Sequence, residues 1–89
     1  MVTLFVRHEV DDYEAWRQVY DDFDETRREM GVVDHSVHRG EANPDMITIT
    51  HKFEDMSTAK SFVASDELRQ AMEEAGVKGQ PEMWFTRDA

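Results

Sequence analysis

The chain has 89 residues and no cysteine, and its twenty acidic against ten basic residues give a formal charge of −10. This length allows one domain and excludes a second independent core, while the missing thiols exclude disulfides, thiolate metal sites and a cysteine nucleophile. The acidic surface should repel nucleic acid and anionic membranes, and no segment approaches the roughly 18–20 apolar residues that span a bilayer.

Val2, Leu4 and Val6 share one face of an extended pattern that predicts a first strand over residues 2–10. Asp11 stands at the N-cap position, Glu14 follows as its capping-box partner, and Val10 with Ala15 is placed as a hydrophobic staple, so a helix begins there. Tyr13, Trp16, Tyr20, Phe23 and Met30 recur at helical spacing and Gly31 sits where a C-cap belongs, which carries that helix to about Met30. After Gly31 the period becomes two: Val33 and Val37 alternate with Asp34, Ser36 and His38 up to Gly40. Asn43-Pro44-Asp45 supplies a turn, and Ile47, Ile49 and Phe53 alternate with Thr48 and Thr50 in a third strand that closes a hairpin. Asp55 or Ser57 caps a helix presenting Ala59, Phe62 and Val63, and Ser65 caps another presenting Leu68, Ala71, Met72 and Ala75, closed by Gly76. Gly79-Gln80-Pro81 reads as a turn, and Glu82 to Arg87 as a short fourth strand.

The order β-α-β-β-α-β predicts one α+β domain over residues 1–89, a ferredoxin-like four-stranded antiparallel sheet with its helices on one face. In strands two to four the odd positions (Val33, Val37, Ile47, Ile49, Phe53, Met83, Phe85) should meet the helices. The even positions Ser36, His38, Thr48, Thr50, Trp84 and Thr86 then line the uncovered face, too polar for a core and too aromatic for bulk solvent. Two subunits joining these faces would form a homodimeric α+β barrel with a partly polar interior, a common place for a ligand.

These residues carry a resemblance. Arg7-His8-Glu9-Val10 leading into Asp12-Tyr13-Glu14-Ala15-Trp16, with Phe23-Asp24, Gly31-Val32, Asn43-Pro44-Asp45, Ala59-Lys60-Ser61-Phe62, Ser65-Asp66-Glu67-Leu68 and the run Ala75 to Pro81, resembles the antibiotic biosynthesis monooxygenase superfamily of dimeric α+β barrels. The resemblance covers the whole chain and implies a homodimer with a cavity between sheet and helices. It also implies, as in some relatives, cofactor-free oxidation of aromatic compounds by molecular oxygen. Other relatives cyclise polyketides or degrade haem. The haem-degrading pattern needs a first-strand asparagine and a helical histidine, whereas the one asparagine here is Asn43 in a turn and all four histidines fall in predicted strands.

Strands one and two run parallel, so His8 and His38 approach the same end of the sheet and are the candidate catalytic pair, a neutral imidazole being able to take a proton from a phenol or enol. Whether they share a face depends on strand one, whose even set packs equally well under the helices, leaving Phe5 and Arg7 toward the cavity instead. Trp84, Tyr13, Trp16, Thr48, Thr50 and Ser36 are the candidate ligand-binding residues, each with a packing role as its alternative. His35 and His38 point to opposite faces of a strand and make no metal pair, and His51 shares the parity of Ile49 and Phe53 as a structural histidine. Gly76-Val77-Lys78-Gly79 follows a helix rather than opening one, and no phosphate loop, dinucleotide fingerprint or metal motif is present, so neither cofactor nor metal is expected. The two functional readings are a cofactor-independent oxygenase or cyclase acting on a small aromatic or enolic compound, and a non-catalytic dimeric ligand-binding or stress-associated protein. Without a signal-peptide pattern the expected location is the cytoplasm. The lysine-poor acidic surface fits either an ordinary solvated face or a salt-rich one.

Overall fold

The computed structural model describes residues 1–89 and contains β1 (Val2–Val10), α1 (Tyr13–Asp22), α2 (Asp24–Glu29), β2 (Asp34–Arg39), β3 (Met46–Phe53), α3 (Met56–Val63), α4 (Asp66–Glu74) and β4 (Val77–Arg87). The strands form one sheet in the order β2-β3-β1-β4, antiparallel at every pairing. This is the expected ferredoxin-like arrangement, with β2 and β4 as edges. No helix is long and apolar enough to cross a membrane.

Register decides which side chains meet the helices. Val6 pairs with Ile49 and with Met83, so the even residues of β1 share a face with the odd residues of β3 and β4. Val37 pairs with Ile49, which brings the odd residues of β2 to that face as well. The core is built there, from Val2, Leu4, Val6, Val10, Ile47, Ile49 and Phe53 under Trp16, Tyr20, Ala59, Phe62 and Leu68.

The first helical segment is not continuous to Met30. Asp12, rather than Asp11, is the N-cap, its carboxylate accepting from the Glu14 and Ala15 amides; Asp11 still belongs to the approach, its amide bonding the Gly76 carbonyl. Such a cap contributes about 1 kcal/mol. The helix breaks at Phe23, and Arg27 of the following turn reaches back to donate to the Tyr20 carbonyl at 2.9 Å, satisfying an acceptor near the end of α1. Past Gly31 (φ 98°), where a Cβ would stand 2.5 Å from Thr58 Cγ2, it is Val32 that enters the core, and Val33 is half exposed. The chain has not yet settled into the pleat at that point, so parity counted from Val33 misplaces it.

β4 is longer than expected. Val77 already pairs with Val10 and Lys78 with Glu9, so Gly79-Gln80-Pro81 is a register irregularity inside the strand and not a turn before it. Gly79, at φ 66°, supplies the bend, and Pro81 is tolerated because β4 is an edge.

Candidate functional site

The two faces of the sheet carry different chemistry. On the open face, Ser36 lies opposite Thr50 and His38 opposite Thr48, and the Ser36 hydroxyl bonds both Thr50 Oγ1 and His38 Nε2. Trp84 lies opposite Phe5 on the same face and is 40% exposed. His8 is not beside them. It belongs to the even set of β1 and packs beneath the helices, edge-on to Trp16 at 5.8 Å, while Phe5 and Arg7 take the open side. The two histidines therefore reach the same end of the sheet on opposite faces. The signal was in the sequence: Val10 extends the apolar even set, and Arg7 and Glu9 charge the odd one.

On the helix side, β1, β3, α1, α2 and α4 enclose a cavity of about 40 Å³ whose lining is mostly apolar. Trp16 and Tyr20 stack at 5.1 Å along its wall, Val6 and Ile49 form its floor, and Leu68 and Met72 close it from α4. Tyr13 stands outside this lining, stacked on Trp16 and covered by the Arg39 guanidinium at 3.8 Å. Three polar side chains reach into this apolar setting: His8, His51 and Arg27, exposed by 4%, 3% and 2%. Both ring nitrogens of His8, Nδ1 of His51 and Nε of Arg27 have no hydrogen-bond partner in the protein. Each such buried group costs roughly 1–3 kcal/mol when unpaired, and all three side chains line the same cavity.

Burial lowers the His8 pKa to about 4. It lowers His51 to about 3, helped by the charges of Arg27 and His35. Both rings are neutral near pH 7, each offering one donor and one acceptor. Protonating His8 at pH 7 would cost about 4 kcal/mol, which makes it a hydrogen-bond partner rather than a store for a proton. Burial holds the Tyr20 phenol above its ordinary value, with Arg27 and Arg17 pulling the other way. Arg27 is held below its ordinary value by burial, opposed by Tyr20 and Asp24.

Behind the wall lies a group the sequence did not single out. The Tyr20 hydroxyl is hydrogen-bonded to His35 Nδ1, and His35 Nε2 lies 3.3 Å from Asp24 Oδ1. Arg27 stacks over the Tyr20 ring at 3.9 Å and approaches Asp24 at 3.5 Å, and Arg28 holds the other Asp24 oxygen at 2.9 Å. Arg27 and Asp24 lie in a polar helical run, where Arg27 continues the inward stripe of Trp16, Tyr20 and Phe23 at helical spacing. No three carboxylate or imidazole groups converge as a metal site.

A four-stranded sheet half covered by helices, with an apolar cavity between the layers, defines the class. The chain belongs to the antibiotic biosynthesis monooxygenase family, whose model matches residues 1–74. A protein of Bordetella bronchiseptica superposes with a TM-score of 0.83 at 11% identity, over 99% of this chain and 96% of that one. A conserved protein of Methanosarcina mazei gives 0.79 at 16%, over 99% and 92%. A variant of SnoaB, a cofactor-independent oxygenase of Streptomyces nogalater, gives 0.78 at 14%, over 98% and 91%. Comparison with curated protein sequences finds no match.

Proposed function

We propose that the protein is a cofactor-independent oxygenase of a small aromatic or enolic compound, bound in the cavity between sheet and helices. The observation that carries this is the combination of a Trp16–Tyr20 wall with three buried polar side chains, His8, His51 and Arg27, that each keep at least one nitrogen without a partner in the protein. A flat ring lies against the wall while its oxygens meet His8 at one end and Arg27 or His51 at the other. An activated methylene carbon that becomes a carbonyl gives up four electrons and two protons. These reduce one dioxygen to that carbonyl oxygen and one water, so the substrate is its own reductant. Family membership and the oxygenase among the structural relatives support the reading.

The cavity at 40 Å³ admits water-sized guests, whereas about 150 Å³ is needed for a benzene ring. Binding therefore requires α4 to shift. That helix buries a single side chain of its own, Leu68, and Leu68 and Met72 line both the cavity and a groove of about 490 Å³ between α4 and β4. We further propose a homodimer formed through the open face, where Trp84, Thr48, Thr50, Ser36 and His38 would meet a second copy.

The test is oxygen uptake without added cofactor on a panel of naphthols, anthrones and 1,3-diketones, followed by ¹⁸O₂ incorporation. Uptake with one labelled oxygen in the product is the expected result. Tight binding with no uptake would favour the second reading, a non-catalytic ligand carrier, which the neutrality of His8 and His51 also suits.

A further inference from the structure

We propose that Tyr20, His35 and Asp24 form a proton relay leading from the cavity to solvent, with Tyr20 deprotonating a hydroxyl-bearing ligand; this rests on the cavity being the ligand site. Three elements bring the relay together, Tyr20 from α1, Asp24 from α2 and His35 from β2. A carboxylate only accepts, so the relay requires the His35 ring proton on Nε2, the nitrogen 3.3 Å from Asp24 Oδ1, with Nδ1 offered to the Tyr20 hydroxyl. The Tyr20 proton is thereby committed to His35, and the free lone pair of its oxygen is left for an incoming ligand proton. Tyr20 also lines the cavity.

The step moves one proton along the chain and no electrons. The ligand O–H proton passes to the Tyr20 oxygen as the Tyr20 proton passes to His35 Nδ1. The resulting imidazolium returns its Nε2 proton to Asp24 or to water, both side chains being about a third exposed (31% and 33%). The ligand remains as an oxyanion in the cavity that Arg27 lines.

Burial, Asp24 and Asp21 oppose negative charge on the Tyr20 oxygen, and two arginines work against them. From α1 and α2, Arg17 and Arg27 lie over the Tyr20 ring at 5.4 and 3.9 Å, favouring negative charge on its oxygen. Asp24 lies beside His35 Nε2, where the relayed proton leaves, and the Asp34 carboxylate accepts the His35 amide. Arg27 and Arg28 temper Asp24 while fixing its position. From β3, His51 faces the His35 ring at 6.5 Å as a neutral imidazole. His8 has no comparable exit, being buried without a polar partner.

Two measurements on the full chain decide the matter. In ¹⁵N-histidine spectra at neutral pH, His35 should show a protonated Nε2 and an acceptor Nδ1; the opposite tautomer overturns the relay. The second uses 4-nitrophenol, whose visible absorbance reports its own ionisation. At pH 6 the wild type should bind it with an anion-to-neutral ratio at least tenfold above that in Tyr20→Phe, His35→Gln and Asp24→Asn, the last included because the others sit closer to the core. Binding with the same ratio in wild type and variants overturns the relay alone, whereas no binding at millimolar 4-nitrophenol overturns the cavity as the ligand site.

Discussion

Phe5 of β1 and Trp84 of β4 stack with their ring planes 1° apart and centroids 5.3 Å apart, on the face of the sheet that no helix covers. Such a pair contributes about 0.5–1.5 kcal/mol beyond area burial, yet Trp84 leaves 40% of its surface open. An aromatic anchor of this kind is what a dimer interface concentrates its energy on. Sedimentation equilibrium at micromolar concentration is expected to give twice the chain mass. Trp84→Ala should weaken the dimer about thirtyfold or more, the equivalent of about 2 kcal/mol. A monomeric wild type would remove the shared interface.

The buried histidines His8 and His51 should make the fold sensitive to acid. Their folded pKa values, about 4 for His8 and about 3 for His51, lie below the ordinary 6.5, so between these limits the unfolded chain binds more protons than the folded one. Stability therefore rises with pH through this window and falls as pH drops below 6.5. His8 alone accounts for about 3 kcal/mol between pH 6.5 and 4, a large part of a total near 5–15 kcal/mol. Urea titrations should show a midpoint that drops steeply from pH 7 to 5. His8→Leu should flatten that dependence and leave stability at pH 7 equal or higher, because it removes two unpaired ring nitrogens without opening a large hole. An equally steep slope in the variant would place the acid sensitivity elsewhere.

The fold was legible because each element carried its own punctuation: Ser65 and Asp55 cap α4 and α3 as their positions require, and Gly76 closes α4 at a positive φ. The faces of β2 and β3 followed from strict alternation. β1 was less plain: Phe5 among its odd residues blurs the apolar even set of Val2, Leu4, Val6 and Val10, and the face that set takes decides whether His8 looks at His38 or away from it. The relay was illegible for another reason. Tyr20 reads as part of a packing stripe and His35 as a strand residue, and only the tertiary fold sets the Asp24 carboxylate of α2 beside the His35 ring of β2.

A net charge of −10 on a domain this small should make salt stabilising. The ion pairs present are mostly exposed, such as Arg69 with Asp66 and Glu73, and contribute little individually. Screening the net repulsion is the larger effect, acting over about 10 Å at 0.1 M salt and less above it. The thermal midpoint is expected to rise with KCl from 0.1 to 2 M by several degrees, since about 1 kcal/mol corresponds to roughly 4–8 °C for a domain of this size. A flat or falling midpoint would mean that the ion pairs outweigh the repulsion and that the acidic surface is an ordinary solvated one.

Met72 and Ala71 give opposite control over the cavity. Met72 lies between the cavity and the groove beside β4, and its side chain is only half buried, so Met72→Ala should cost about 1 kcal/mol or somewhat more while joining the two spaces. Ala71 lines the same cavity from the same helix, and Ala71→Leu places three further carbons in a space of about 40 Å³. If small aromatics enter by displacing α4, Met72→Ala should bind phenol or indole at least tenfold more tightly than the wild type, because the displacement is partly made in advance. Ala71→Leu should lose detectable binding while remaining folded by circular dichroism. Calorimetric titration of both variants reads this directly. Equal affinity in the wild type and both variants would show that the ligand does not enter beneath α4, and would move the search to the open face, where Trp84, His38 and the hydroxyls of Ser36 and Thr50 stand.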